Sequence, residues 1–532
     1  MLQAALGTQG MVTAPHALAA QSGLAILRSG GNAIEAMVAA ASTIAVVYPH
    51  MNSIGGDGFW LIVPPSGEPL AIRACGGAAQ SATREAYLSG GMTSIPFRGP
   101  WSANTVAGTV GGWQTALELS HAWGGRLPLS VLLGDAIHYA TQGIPTTAGH
   151  AEAITKKRAE LVDQPGFAKT FLTFCGQPPR MGERFCQPHL ASTLTRMVEE
   201  GLESFYRGPL ALTIAADLKQ VGSPLRLDDL ARYRAEVVKP LHLTHDSGTL
   251  YNMTLPTQGV VSLALLGIAE RAGLAGVRPD STAHIHLLVE STKQAFRLRD
   301  QYVTDPGICP VQPQSLLDPS RLDVLANAIH PERAAPWGEG KGPGDTVWLG
   351  AIDGNGLAVS FIQSIYHEFG SGCVLPETGI NWQNRGASFS LSPQSLLALE
   401  PGKLPFHTLN PAAARLKDGR VMVYGTMGGD GQPQTQAAIF SRYAIFGQPL
   451  QQAVTSPRWL LGRTWGDTSD SLKLESRFPE TVIDTLRLWG HEVEILRDFD
   501  ESVGHAGAIV RHPDGFLEGA ADPRSNGGVA AF

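Results

Sequence analysis

One junction constrains this chain more than any other. Lys341, Gly342, Pro343 and Gly344 favour a loop, because Gly and Pro disrupt both helical and strand ladders. The apolar alternation from Thr346 to Ile352 predicts a strand. The backbone must therefore enter a sheet at Thr346 from a segment that cannot pair. A threonine in that place is ordinarily a strand start. The position also suits a nucleophile made when the chain cuts itself between Asp345 and Thr346. The freed α-amine, which titrates at about pH 8, can take the proton from the residue's own hydroxyl.

The elements around this junction are unevenly distributed. Ala17 to Ser29 has helical spacing and stops at Gly30-Gly31, and Asn32 opens a second helix with Glu35 three residues on, a capping-box pattern. Phe59 to Val63 reads as a buried strand that turns at Pro64 to Gly67 into a second strand around Leu70 to Ile72. From Val110 to about Asp300 the pattern is mainly helical: Leu127 to Gly143, Leu190 to Gly201, Pro209 to Val221, Val260 to Ala272 and Ala283 to Asp300. Strand signals are sparse there, and residues 306 to 345, rich in Pro and Gly, read as an exposed linker. Beyond it strands predominate, at Val347 to Ile352, Leu357 to Gln363, Ala413 to Leu416, Val421 to Tyr424, Val493 to Leu496 and Gly507 to Arg511. Helices at Thr435 to Ala444 and Pro479 to Leu488 interrupt them. The class is α/β, with strands from both ends of the chain and helices from its middle.

The 532 residues allow a large core, and 43% hydrophobic with 16% charged residues excludes a disordered chain. A net charge of -7 without any Lys/Arg block argues against a nucleic-acid or membrane-surface partner, leaving a small molecule as the expected ligand. The most apolar run, Ala33 to Tyr48, carries Glu35 and reads as a core helix. Five scattered cysteines without CxxC spacing suggest neither a disulfide framework nor a zinc site. With no secretory signal visible in the first residues, the expected location is cytoplasmic.

Gly425 to Gly431 follows a strand and precedes a helix, and such a turn can aim consecutive backbone N-H groups at one oxygen. Alone, it reads equally as a plain glycine-rich turn. It has neither the lysine of a phosphate loop nor a dinucleotide fingerprint, so no cofactor is expected. His367-Glu368 lacks the second histidine of a zinc helix, and His242 and His245 lack a third ligand at helical spacing, so no metal is assigned. Arg385 stands in a polar turn beside apolar strands, where a planar two-pronged donor suits a small carboxylate; Arg73 is a second candidate.

Taken together, these motifs resemble the γ-glutamyltransferase family of N-terminal-nucleophile hydrolases over nearly the whole length. The resemblance runs through Ser29 to Ala33, Asp57-Gly58-Phe59, Gln187-Pro188, Phe205-Tyr206, Glu290, Lys293, Arg299, Phe369 to Gly372 and Gly428-Gly429. It implies a four-layer αββα sandwich whose precursor cuts itself into a large subunit (1–345) and a small one (346–532) that stay together. It implies further that Thr346 is the nucleophile, that Ser364 positions it, and that Gly428 and Gly429 form the oxyanion hole. Association into a homo-oligomer is compatible with these features.

Departures from the family pattern bear on the substrate. Ser388 stands where glutamyl-transferring members carry an acid for the substrate α-amine, Tyr366 where they carry an Asn, and His407-Thr408 where they carry a Ser-Ser pair. The implied activity is hydrolysis of a linear amide that lacks this amine, with Arg385, His407, Thr408 and Tyr366 as candidate substrate-binding residues, the carboxylate falling to Arg385 helped by His407 and Thr408. The runs Phe361 to Gly370, Pro405 to Pro411 and Gly428 to Gln436 are most similar to a bacterial amidohydrolase acting late in urate and allantoin breakdown. Hydrolysis of a larger dicarboxylic or β-lactam side-chain amide, γ-glutamyl chemistry, and a non-catalytic protein that binds a small acid remain open at this level.

Overall fold

Two seven-stranded antiparallel sheets lie at the centre of the molecule. The structure is a computed structural model that describes residues 3–338, 345–462 and 469–532, with Asp345 described for its backbone alone. The expected loop at 341–344 and the side chain of Asp345 therefore lie outside the described residues.

One sheet runs Gly528–Ala531, Gly10–Ala14, Asp345–Asp353, Ala358–Tyr366, Asp57–Val63, Leu70–Ala74 and Glu236–Val238. The other runs Ala5–Gly7, Leu517–Ala521, Gly507–Arg511, Val421–Gly425, Ala412–Leu416, Gly248–Asn252 and Leu241–His245. Met11, Phe59, Leu61, Trp348, Ile362, Val423 and Ile509 fill the space between the sheets, so most strands are apolar on both faces. The outer face of the first sheet is covered by the helices Ala17–Arg28, Ala33–Val47 and Thr109–Ser120. The helices Gly259–Arg271, Thr282–Tyr302 and Gly431–Phe440 cover the outer face of the second. This is the expected four-layer αββα order.

Local chemistry explains the helix pair. The Asn32 side chain accepts from the backbone N-H groups of Ile34 and Glu35, while Glu35 accepts from the Asn32 N-H, so the capping box read from the sequence is formed. Every residue of Ala33–Val47 is buried, and its alanines let the neighbouring helix and the sheet approach closely.

Three expectations are corrected. The stretch read as poor in strands contains the hairpin Leu241–His245 and Gly248–Asn252, which forms one edge of a sheet. The stretch read as a linker contains the helix Pro319–Asn327, whose Leu322 packs into the core. The helix expected over Leu127 to Gly143 is two, Leu129–Leu132 and Gly134–Gln142.

Candidate active site

The site is assembled where the Thr346 strand meets its neighbour. Asp345 pairs with Tyr366 and Val347 with Gln363, so two steps on one strand face three on the other. This bulge sets Thr346 opposite Ser364 and Ile365, a local distortion of the kind that re-aims side chains. Thr346 is buried, 1% exposed, and Gln432 Nε2 donates to its Oγ1 at 3.5 Å. The strand ends at Tyr366 with φ of +83°, a left-handed conformation that costs an aromatic residue strain and is stored where the surroundings enforce it.

Arg385 lies against this strand end. Its Nη2 donates to Ser364 Oγ at 3.4 Å and its guanidinium stacks on the Tyr366 ring, with Cζ 4.1 Å from the centroid. The side chain is fully buried, yet Nε and Nη1 have no acceptor among the described residues. Burial lowers its pKa to about 10, against the opposing influence of Tyr366, Asp57 and Cys75, so the guanidinium remains charged at neutral pH.

Asp57, the cross-strand partner of Ser364, is also fully buried. Its Oδ1 accepts from Gly108 N at 3.0 Å and Gln383 Nε2 at 3.2 Å, and its Oδ2 lies 3.4 Å from His407 Nε2. Burial raises its carboxyl to about 7, although Arg385 and these donors pull the other way. Burial, and then Arg385, push His407 well below the usual imidazole range, so the ring is neutral. The Thr408 hydroxyl has no partner among the described residues.

The glycine turn closes the other side. Gly428 and Gly429 have φ of +113° and +53°, values that favour glycine. Their carbonyls accept from Gly431 N and Gln432 N, turning into the helix Gly431–Phe440. Neither glycine N-H has an acceptor among the described residues. Gln258 ties the turn to the His407 segment by donating to Thr408 O at 3.0 Å and Gly429 O at 2.8 Å. Asp430, the next residue, pairs with Arg299 Nη1 at 2.8 Å.

The fold thus brings together Thr346 with Ser364, Tyr366 with Arg385, and the His407-Thr408 segment with Gly428-Gly429. Arg73 is engaged elsewhere: it donates to Leu255 O at 3.2 Å and pairs with Glu236. Asp57 and Gln432 appear in the sequence only as parts of longer motifs, and Gln258 gives no sequence signal.

Among the described residues, His286, Glu290 and His491 have ligand atoms within 4.8 Å of one another. The group is hydrogen-bonded as it stands. His286 Nδ1 is 2.8 Å from His491 Nε2 and its Nε2 is 2.8 Å from His330 O, while Glu290 accepts from Lys293 and from Ala335 N. The lone pairs a metal needs are in use, with an ammonium alongside.

Two packed sheets between helical layers, with a threonine opening an inner strand, define the αββα sandwich of the N-terminal-nucleophile hydrolases. A cephalosporin acylase from Bacillus halodurans superposes on it with a TM-score of 0.91 and 34% identity, over 100% of this chain and 97% of that one. Within that class, the model of the gamma-glutamyltranspeptidase family matches residues 19–532, and the chain belongs to this family. The oxamate amidohydrolase proenzyme of Klebsiella pneumoniae is 61% identical over 528 residues, covering 99% of each chain. The glutathione hydrolase-like YwrD proenzyme of Bacillus subtilis is 39% identical over the full length of both.

Proposed function

We propose that this protein hydrolyses oxamate to oxalate and ammonia, after cutting itself between Asp345 and Thr346 into fragments 1–345 and 346–532. The observation that carries this reading is the buried Arg385. It offers two guanidinium nitrogens without an acceptor among the described residues, and it donates to Ser364 on the strand opposite Thr346. A charged donor left unmatched in a dry site suits a small anion. The 61% identity to an oxamate amidohydrolase proenzyme supplies the matching substrate.

In this mechanism the α-amine of Thr346 takes the proton from Oγ1, which attacks the amide carbon. The carbonyl electron pair moves onto oxygen, met by the N-H groups of Gly428 and Gly429. As the pair returns, the C-N bond breaks and the proton held by the amine passes to the departing nitrogen, giving ammonia and an oxalyl ester. Water, deprotonated by the same amine, attacks that ester, and oxalate leaves as Oγ1 regains its proton. Ser364 and Gln432 hold the hydroxyl in place. Arg385 receives the substrate carboxylate, with His407, Thr408 and the Tyr366 ring forming the walls. No cofactor or metal takes part.

The same reading places the enzyme in the cytoplasm, late in purine breakdown through urate and allantoin. The five cysteines, all free, fit a reducing compartment. No described helix is long and apolar enough to cross a membrane.

Ammonia release from oxamate by the purified protein, beside a Thr346→Ala control, tests the proposal. Release by the native protein that the control lacks is expected, with an intact mass showing a fragment that begins at Thr346. A cleaved protein inert towards oxamate would redirect the reading to larger side-chain amides, the chemistry named for the Bacillus halodurans structure.

A further inference from the structure

The proposed seat contains more titratable chemistry than carboxylate binding requires. Arg385, Asp57 and His407 come from three distant stretches of chain and are each fully buried, Asp57 lying 3.4 Å from His407 and across the strand pair from Ser364, to which Arg385 donates. Arg385 leaves Nε and Nη1 unmatched, Asp57 leaves Oδ2 without a well-directed partner, and both His407 nitrogens are likewise unmatched among the described residues. A dry site with one fixed cation holds one counter-anion comfortably and two poorly, since two like charges in low dielectric repel strongly. When Asp57 is ionised it is that counter-anion, and a substrate carboxylate at Arg385 is then a second negative charge.

We infer that Asp57 sets the charge of the anion seat, so that a carboxylate binds at Arg385 only together with a proton on the Asp57-His407 pair. This rests on the reading that Arg385 seats the substrate carboxylate. The proton comes from solvent and sits on Asp57 Oδ2, within 3.4 Å of His407 Nε2, which accepts from it in the neutral ring. In the empty site the ionised Asp57 compensates the guanidinium. Asp57 therefore selects for ligand charge as well as balancing the guanidinium.

Apart from the freed α-amine of Thr346, which titrates at about pH 8, Asp57 is the group left titrating near neutral pH. Its carboxyl is held up to about 7, and His407, facing it, is pushed far below that. Arg385 stays charged, and Gln383 with the Gly108 and Gly76 N-H groups contributes fixed dipoles. Cys75, Tyr206 and Tyr233, the other titratable groups that sense Asp57, are raised by burial first and by Asp57 in addition, so they remain neutral.

The test is oxalate binding to the matured protein, by calorimetry, from pH 6 to 8.5 and in two buffers of different ionisation enthalpy. In the native protein the Kd is expected to rise roughly tenfold per pH unit above the Asp57 pKa, with close to one proton taken up per oxalate at the alkaline end. Asp57→Asn, which keeps the shape and cannot ionise, should flatten the profile and abolish most of the uptake. A native Kd independent of pH overturns the inference without reference to any variant, and so does an unchanged slope in Asp57→Asn. If ammonia is released from oxamate while oxalate affinity ignores pH, the proposed function stands and the role of Asp57 falls. If oxalate does not bind at all, both fall.

Discussion

Two arginines, Arg385 and Arg524, are buried to a similar degree in this protein and do opposite things with their donors. Arg524 donates through Nε to Glu475, through Nη1 to Asp522 and Val454 O, and through Nη2 to Glu475 and Ser456 O. Five bonds meet five N-H groups. Among the described residues, Arg385 makes one hydrogen bond, to Ser364, and one ring contact, and leaves Nε and Nη1 unmatched. Burial of a charge is thus no guide to its role. The useful observation is which acceptors are met: Arg524 pairs with two carboxylates, whereas Arg385 pairs with none at ion-pair distance among the described residues, which suits it to take an anion.

The carboxylates repeat the contrast. Burial alone would raise Asp522, but Arg458 and Arg524 outweigh it and hold its carboxyl below the usual range. At Asp57 burial wins over the pull of Arg385, and among the described residues no arginine pairs with it at ion-pair distance.

The sharpest way to break this comparison is to delete each cation in turn. Arg385→Met should lower kcat/KM for oxamate by about a thousandfold, and shift stability by less than about 1 kcal/mol below pH 7, where Asp57, its carboxyl raised to about 7, takes up a proton instead of standing uncompensated. Arg524→Met should leave Glu475 and Asp522 uncompensated and cost roughly 3–5 kcal/mol of unfolding free energy in a urea titration. If both variants move the same quantity, the distinction is wrong.

A smaller effect should appear in the pH dependence of stability. Asp522, with a lowered pKa, contributes stability that is present above the ordinary carboxylate pKa and lost as pH falls through its folded value. Asp57, raised from 3.8 to about 7, contributes stability that is present below 3.8 and declines as pH rises through that window. Unfolding measured from pH 3 to 8 in Asp522→Asn and Asp57→Asn should therefore differ from the native protein with opposite slopes. Smaller still is the ring contact. Tyr366→Leu should raise KM by about tenfold through loss of the cation-π contact, and Tyr366→Phe by less than about threefold.

The helices and the strands near Thr346 were legible from local signals. The capping box at Asn32, the break at Gly30-Gly31 and the alternation after Thr346 all act within a few residues, and the fold follows them. Gly10–Ala14 was not read, because it is buried on both faces and so carries no alternation. The hairpin of Leu241–His245 with Gly248–Asn252 did carry a signal, Leu241 and Leu243 two apart before Asp246-Ser247 and Leu250-Tyr251 after it, in a stretch that reads as helical on average. Residues of the site were legible as separate motifs. What a linear pattern cannot supply is that Asp57 lies against His407 while Arg385 meets Ser364 across from Asp57, or that Gln258 reaches the glycine turn and Gln432 reaches Thr346, since each depends on pairing between distant parts of the chain.

The most direct test is whether Arg385 recognises charge. Ammonia release should be compared for oxamate and for oxamide, its uncharged diamide, with the matured native protein and with Arg385→Met. The account expects the native protein to favour oxamate by about a hundredfold or more, and the variant to lose that preference. A variant that still favours oxamate to the native extent would contradict it.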